Sequence, residues 1–363
     1  AKLYFRTARL REVGQETEEH NRRSEHSAPI ELSERSSRIQ NNGLKFMDSL
    51  KRNLCFCALA LLPFIVAQSA EPPITSVVFT PDHHSVLAGS QAGVALYSWP
   101  ELELKKQFEV EMLNVHLLSF SPDAKHLAIA GGNPAEIGYV EVFEWPTMKS
   151  LKRIGNHEDS VSDVCWLDPS VFMTASLDKS IKTWSLTDKS SSREFLGHSK
   201  SVTAICLLKD GETLVSAGID QSVRVWKART GELIRTLNQH TGRINALALR
   251  PPVGGLPMVA SAASDRSIRF WQPTIGRMVR YIRLESEALS LGWLSDGEHI
   301  AAACSDGKLR IIDTVEVQVL KELGGIEGWA YSIDVNPIDG AFIIGGTNGQ
   351  LKRFTSGGLP ESD

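Results

Sequence analysis

Residues 197–226 read GHSKSVTAICLLKDGETLVSAGIDQSVRVW, and they carry the strongest indication of the fold. A Gly-His pair opens it and Trp226 closes it, with a Ser and an Asp four residues apart between them. The same order of His, hydroxyl residue, Asp and Trp recurs in residues 157–184 and in residues 240–271. Self-similarity at a fixed spacing of this size is the sequence signature of a repeat architecture.

Weaker copies flank these three units on both sides. Successive units end on an aromatic or large apolar residue, and these end positions are separated by 46, 41, 42, 45, 41 and 42 residues. The end positions are Tyr97, Phe143, Trp184, Trp226, Trp271, Ile312 and Phe354. Seven units of this size fill residues 74–354.

Each unit contains three or four short runs that are rich in β-branched residues and alternate between apolar and polar positions. Turn-forming pairs separate these runs, for example Pro122-Asp123, Asp210-Gly211 and Asp296-Gly297. No stretch keeps a helical period of 3.6 over three turns. We therefore predict an all-β fold, a seven-bladed β-propeller of four-stranded antiparallel blades, because radial packing leaves only short, protected sheet edges.

The pattern closely resembles the WD-repeat family, which builds one four-stranded blade from each unit of about 40–45 residues. The resemblance covers residues 74–354. A series of Gly-His, Ser-x-x-x-Asp and Trp in register is specific for the fold, but it is not specific for any activity.

The resemblance also implies a role for the recurring polar residues. In the family they form a hydrogen-bonded chain inside each blade, from Asp to His to Ser or Thr to the Trp indole, which satisfies buried polar groups. Three units of this chain carry the complete set, and we expect these blades to be the most rigid. The structural tetrads are His157, Thr174, Asp178 and Trp184; His198, Ser216, Asp220 and Trp226; and His240, Ser261, Asp265 and Trp271. The sixth unit keeps Asp306 but has Ala302 and Ile312.

Propellers of this family resemble one another in presenting one face of loops to proteins or peptides. We placed the corresponding positions of this chain by register, and most of them are small or polar. The exceptions and their polar neighbours are our candidate partner-binding residues, since exposed aromatics and Arg are enriched at binding hot spots. They are Trp329, Tyr331, Leu289, Arg243, Asn245, Leu177 and Ile219. In an alternative interpretation, Trp329 packs inward and fills the space of a missing His.

The predicted function is a non-catalytic interaction scaffold whose partner is a protein or peptide. The alternatives are a propeller enzyme, such as a lactonase or a quinone-dependent dehydrogenase, and an accessory subunit of a redox complex. Such an enzyme would need acidic metal ligands or a cofactor platform at the central channel, where only Asp163 and Asp334 are charged candidates. We therefore predict no catalytic residues, no metal site and no cofactor.

Composition narrows the class of partner. The 363 residues include 39 Lys and Arg against 43 Asp and Glu, a net charge of −4, and a nucleic-acid binder would carry a basic excess. Five Cys are too few for a fold held by disulfides, and no Cys-x-x-Cys pair or phosphate-binding Gly-rich loop occurs. The charge is uneven: residues 1–53 carry 11 basic and 8 acidic side chains, and residues 71–363 carry 28 and 35.

The first seventy residues have a different character from the repeats. Residues 1–46 are polar and without period, which is typical of disorder, or they are an over-extended reading frame before Met47. Residues 47–70 combine Lys51 and Arg52, an apolar run of thirteen residues and a small-residue end, which predicts a secretory signal peptide. A membrane anchor would need about 20 apolar residues. The propeller domain is then 71–363, secreted or periplasmic if the signal is used and otherwise cytoplasmic.

The segment Phe64-Ile65-Val66-Ala67 has a second possible use. It lies before Ile74 at about the distance that separates residues 193–196 from Val202. In the family one terminus usually supplies the outer strand of the last blade. The segment therefore either exports the protein and leaves blade seven with three strands, or stays and closes the ring.

Overall fold

A computed structural model describes residues 71–188 and 193–355. These residues form 27 β-strands in seven antiparallel sheets, and apart from the strands they contain one short 3-10 turn at Thr347–Gly349. In each sheet the strands are adjacent in chain order from the inside outward, so each blade is a simple meander. The predicted all-β propeller with seven blades is confirmed.

The first three blades contain four strands each. They are β1 (Ser76–Phe79), β2 (Ser85–Ser90), β3 (Gly93–Ser98) and β4 (Leu104–Phe108); β5 (Asn114–Phe120), β6 (His126–Asn133), β7 (Ile137–Glu144) and β8 (Lys149–His157); and β9 (Val161–Asp168), β10 (Val171–Ser176), β11 (Ile181–Ser185) and β12 (Arg193–Phe195).

Blades four to six also contain four strands each, and blade seven shows three. They are β13 (Val202–Leu207), β14 (Thr213–Gly218), β15 (Val223–Lys227) and β16 (Leu233–Leu237); β17 (Ile244–Leu249), β18 (Val259–Ala263), β19 (Ser267–Gln272) and β20 (Arg277–Arg283); β21 (Ala288–Trp293), β22 (His299–Cys304), β23 (Leu309–Asp313) and β24 (Gln318–Leu323); and β25 (Ala330–Val335), β26 (Phe342–Gly346) and β27 (Leu351–Phe354).

The core lies in the two middle strands of each blade. The second strands are almost wholly apolar and buried, as in β18 and β22, whereas the outermost strands are mostly exposed or half-buried, as in β16. Buried side chains of one blade pack on those of the next, so the apolar clusters span neighbouring blades. This arrangement explains why no single repeat could bury its apolar faces alone.

The innermost strand carries a β-bulge near its start in blades two to seven. In blade four, Val202 pairs with Gly218 and Ala204 with Ala217, which leaves Thr203 as the extra residue. The extra residue in blades two, three, five, six and seven is His116, Ser162, Asn245, Leu289 and Tyr331. A bulge re-aims the side chain of its extra residue, and here it marks one end of the ring, which we call the upper face.

The ring closes through the inner strands of blades one and seven. Strand β1 contacts both β5 and β25, and each other inner strand contacts its two neighbours. The Val77 backbone N–H donates to Ser332 Oγ at 3.0 Å, and the Phe79 N–H donates to Asp334 Oδ2 at 2.8 Å. Closure at the axis therefore needs no outer strand.

Blade seven has three strands within the part of the chain that the structure describes. Residues 64–67, the predicted alternative source of a fourth strand, lie outside the described residues, as do the predicted leader and signal segments. The described residues include no helix of the length and apolar character that a bilayer span requires.

Candidate binding face

Blade four joins its four recurring polar residues in one buried chain. The ring of His198 lies with Nε2 2.7 Å from Ser216 Oγ and Nδ1 2.9 Å from Asp220 Oδ2. The indole N–H of Trp226 donates to the same Ser216 Oγ at 2.8 Å. Asp220 also accepts the backbone N–H of Ser199 at 3.0 Å, so the chain fixes the loop that follows the His.

Blades three and five repeat this geometry. In blade three His157 Nε2 lies 2.7 Å from Thr174 Oγ1 and Nδ1 lies 2.8 Å from Asp178 Oδ2. The matching distances from the ring of His240 in blade five, to Ser261 Oγ and Asp265 Oδ2, are 2.7 and 2.9 Å. The indoles of Trp184 and Trp271 complete the chains at 2.8 and 2.7 Å. The structure thus brings together all twelve residues that the sequence grouped.

A fifth member of each chain escaped the sequence reasoning. The hydroxyl of Ser222 donates to Asp220 Oδ1 at 2.8 Å, and Ser180 and Ser267 donate to their aspartates at 2.7 and 2.6 Å. The signal was present, since Asp-x-Ser recurs in all three blades. Burial alone would raise the pKa of each aspartate, but the hydrogen bonds from His and Ser outweigh it and hold the pKa well below its usual range.

These chains are built to fix loops and strands. The side chains of His157, His198 and His240 are 0%, 1% and 0% exposed, so no solute reaches the imidazoles. The Trp and Ser atoms that could relay a proton are buried with them. Each polar group has its partner inside the blade, which is the arrangement of a structural network.

Blade six replaces the chain with a buried arginine. Leu284, Ala302 and Ile312 fill the apolar space. The Arg310 guanidinium, whose side chain is 1% exposed, donates to Asp306 Oδ2 at 2.7 Å and to Ser286 Oγ at 2.9 Å. It also donates to Glu322 Oε1 at 3.0 Å. Sequence reasoning missed Arg310 because its register position carries an ordinary Lys or Arg in blades three to five.

The bulged residues of the inner strands connect one blade to the next. Thr203 Oγ1 donates to the carbonyl oxygen of Ile244 at 2.7 Å, and Ser162 Oγ to that of Val202 at 2.7 Å. Asn245, a predicted partner-binding residue, has the same use, since its Nδ2 donates to the Ala288 carbonyl oxygen at 2.9 Å. The structure therefore assigns the Asn245 amide to the junction of blades five and six.

In blades six and seven the bulged residues are Leu289 and Tyr331, which have no such polar role in the ring. Both are partly exposed, and so is Trp329, which is neither fully buried nor free in solvent. The rings of Trp329 and Tyr331 lie 5.9 Å apart at 51°. Burial raises the pKa of Tyr331. Trp329 therefore does not pack fully inward, as the alternative interpretation required.

Arg243 lies beside these residues on the neighbouring blade. Its Nη2 is 3.4 Å from Glu287 Oε2 of blade six, and its Nε donates to Asn245 Oδ1 at 3.3 Å. Because inner strands β17, β21 and β25 follow one another around the ring, Arg243, Leu289, Trp329 and Tyr331 share one sector of the upper face. We call these four residues the aromatic patch.

Leu177 and Ile219 lie apart from the aromatic patch. They precede the tetrad aspartates of blades three and four and are partly exposed at the same end of the ring. The Leu177 carbonyl oxygen accepts Ser201 Oγ at 2.8 Å, which ties the two blades together. The seven predicted binding residues thus fall into two sectors of one face.

The two channel aspartates also serve the junctions between blades. Asp163 Oδ2 accepts the Ile205 N–H of blade four at 2.8 Å, as Asp334 accepts the Phe79 N–H of blade one. Burial raises the pKa of Asp163 to about 7 and that of Asp334 to about 6. Within residues 71–188 and 193–355 no three His, Cys, Asp or Glu side chains are grouped to hold a metal ion.

Comparison with known proteins agrees with the blades. The family model described as "WD domain, G-beta repeat" matches residues 148–185, 189–227, 231–272 and 285–313. The chain is 28% identical over 150 residues to nuclear distribution protein nudF 1 of Talaromyces marneffei, which covers 40% of this chain and 32% of that protein.

Two further relatives are similar over a longer part of the chain. The WD repeat-containing protein VIP3 of Arabidopsis thaliana is 25% identical over 217 residues, 55% of this chain and 68% of the relative. The GID complex subunit 7 of Schizosaccharomyces pombe is 25% identical over 185 residues, 49% and 34% respectively. The chain thus spans about a third of nudF 1 and of the GID subunit, and about two thirds of VIP3.

Proposed function

Because this chain is a WD-repeat β-propeller, we propose that it is an exported, non-catalytic scaffold that binds a protein or peptide on its upper face. WD-repeat propellers bind protein partners, and one relative of this chain is named as a subunit of a complex. The observation that carries the proposal is the aromatic patch, in which Trp329 and Tyr331 stay partly exposed on a face whose other positions are mostly small or polar.

The chemistry of the aromatic patch suits a protein partner. Trp and Tyr bury a large apolar area with few rotatable bonds, and Trp, Tyr and Arg are the residues most enriched at binding hot spots. Arg243 is half-screened by Glu287, whose carboxylate is itself partly exposed, so the pair gives the patch a polar rim. A partner that covers Trp329 would also remove water from the Arg243–Glu287 pair, and it would have to supply polar groups that pair with these two side chains.

The test of the upper face is comparative capture with the full chain as bait. We expect Trp329→Ala to weaken capture of the specific partner by about thirtyfold or more, since truncating a hot-spot aromatic costs about 2 kcal/mol or more. Tyr281→Ala is the matched control, because Tyr281 is an aromatic residue 54% exposed on outer strand β20. Recovery that is unchanged by Trp329→Ala, or equally reduced by Tyr281→Ala, contradicts the proposal.

Export is a separate part of the proposal and has its own test. We expect the protein to start at Met47 and to lose residues 47–70 by cleavage after Ser69 or Ala70. Mass spectrometry of the protein recovered outside the cytoplasm should show an N-terminus at Ala70 or Glu71. A tryptic peptide covering residues 12–22 from that fraction would overturn the assignment.

A further inference from the structure

Blade five has a longer connection between its first two strands than any other described blade. Residues 250–258 join β17 to β18, nine residues where the other six blades use two to six. The connection lies at the end of the ring opposite the bulges, which we call the lower face. It reads Arg-Pro-Pro-Val-Gly-Gly-Leu-Pro-Met, and none of its residues takes part in the binding face described above.

Arg250 holds this loop in shape from within. Its Nη2 donates to the carbonyl oxygens of Gly254 and Leu256 at 3.1 and 3.4 Å. Val253 then packs against the adjacent turn of blade six, where a Cβ on Gly297 would lie only 2.6 Å from Val253 Cγ2. Gly297 also has φ +67°, so glycine is favoured here both by the lack of space for a Cβ and by the backbone conformation.

A second arginine holds the opposite wall. Arg280 Nη1 on outer strand β20 donates to the carbonyl oxygens of Thr314 and Val315 in blade six, at 2.6 and 2.8 Å. Between the two walls lies a cavity of about 200 Å³, which is lined by both arginines, by Val253, Met258 and Val315, and by Glu298. Two adjacent blades and an insertion therefore combine to make one pocket.

Two arginines and one carboxylate, Glu298, line this pocket, so its formal charge is positive. No carboxylate oxygen in the described part of the chain lies within 4.0 Å of Arg250 or Arg280, although Glu298 also faces the pocket. Each guanidinium uses one nitrogen on backbone carbonyls, and its other nitrogens are not among the buried atoms without a partner. They remain accessible to a ligand. Val253 and Val315, 46% and 53% exposed, form an apolar rim.

We propose that this lower-face pocket binds the C-terminal residue of a protein or peptide that ends in an apolar side chain. A C-terminal residue carries a carboxylate and an apolar side chain on one Cα. This matches two guanidinium groups, each with nitrogens not used on backbone carbonyls, beside an apolar wall. Arginine favours planar carboxylates through charge-assisted hydrogen bonds. A cavity smaller than the 300–1,000 Å³ of sites for drug-sized ligands has room for about one side chain.

The test uses N-acetyl-leucine as the probe, with N-acetyl-leucinamide as its neutral counterpart, and the full chain. Ligand-observed saturation-transfer NMR gives an affinity for each probe. We expect saturable binding of the acid that is at least about tenfold tighter than binding of the amide, since a charge-assisted hydrogen bond contributes about 1.5–3 kcal/mol. Arg280→Gln and Arg250→Gln should each lower the affinity for the acid by a similar factor.

Arg229→Gln is the matched control, because Arg229 is exposed on a turn of blade four and the substitution changes the charge equally. The proposal is overturned if acid and amide bind with equal affinity, or if Arg229→Gln lowers the affinity for the acid as much as the pocket variants do. Neither of these two measurements requires that a pocket variant folds, because the first uses the wild-type chain and the second the control. If Arg280→Gln unfolds, the comparison of acid with amide and the Arg250→Gln variant decide the matter. Loss of partner capture with Trp329→Ala leaves this result unchanged, so the two faces are tested independently.

Discussion

Among single residues, the aspartates of this propeller fall into two kinds, which differ in the direction of their pKa shift. The tetrad aspartates are partly buried and receive hydrogen bonds from His and Ser, which hold their pKa well below the usual range. Asp163 is half-buried and accepts only two backbone N–H groups, from Val164 and Ile205, and desolvation raises its pKa to about 7. At Asp163 desolvation outweighs the two backbone donors, whereas at the tetrad aspartates the donors outweigh desolvation.

Replacing His198 tests the structural role of the tetrads. His198→Ala leaves Asp220 and Ser216 without their buried partner and removes a packed ring, so we expect it to lower the free energy of unfolding by about 1–3 kcal/mol. Denaturant titration measures this, and Ser199→Ala is the control, since that exposed side chain has no described partner. A thermal midpoint that His198→Ala leaves unchanged would count against the assignment.

Among elements, the blades share one arrangement of strands but differ in the side chains that occupy their interiors. Blades three to five share the tetrad, blade six substitutes Arg310 and three apolar side chains, and blade seven places Ile326, Ile344 and Phe354 in one apolar cluster. The backbone register is nevertheless the same, because apolar second strands and the bulge set it. Blade six, in which Arg310 takes the place of the tetrad, also has an ion pair between Arg310 and Glu322.

The outer strand of a blade lies at a fixed sequence distance from the inner strand of the next blade. In blade three, Phe195 of the outer strand pairs with Ile181, the first residue of the third strand. Phe195 lies seven residues before Val202, where the inner strand of blade four begins. Blade four repeats the spacing with Leu237 before Ile244. The same spacing before Ile74 falls on Ala67, within the segment with two predicted uses. Cleavage of the predicted signal would remove this segment as a partner for β27, and an unpaired strand edge is available for strand pairing.

At the scale of the whole molecule, stability against pH is the sum of these opposed groups. Asp163 has a folded-state pKa of about 7 against about 3.9 in the unfolded chain, so the native state holds more protons between these values. Stability from this group is therefore greatest near pH 4 and falls as pH rises to 7. The tetrad aspartates have lowered pKa values, and their contribution is lost only below about pH 4.

Asp163→Asn isolates the first effect. We expect the wild-type free energy of unfolding, relative to the variant, to fall by on the order of 2 kcal/mol between pH 5 and pH 8, because the variant cannot ionise at this position. Comparing the two proteins at each pH cancels His116 and His240, whose lowered pKa values act in the opposite sense. A difference between variant and wild type that is the same at both pH values would contradict this origin.

The seven units, their strands and the membership of three tetrads could be predicted from the residues alone, because each of these depends on spacing within about 43 residues. The aromatic patch was predictable in part for the same reason, since register placed Trp329, Tyr331 and Leu289 on one face. Only the tertiary structure showed that Asn245, Asp163 and Asp334 join neighbouring blades, because those hydrogen bonds link residues about 40 or 255 positions apart. The lower-face pocket depends on the same long-range contact, since Arg280 and Val315 meet only when blades five and six pack side by side.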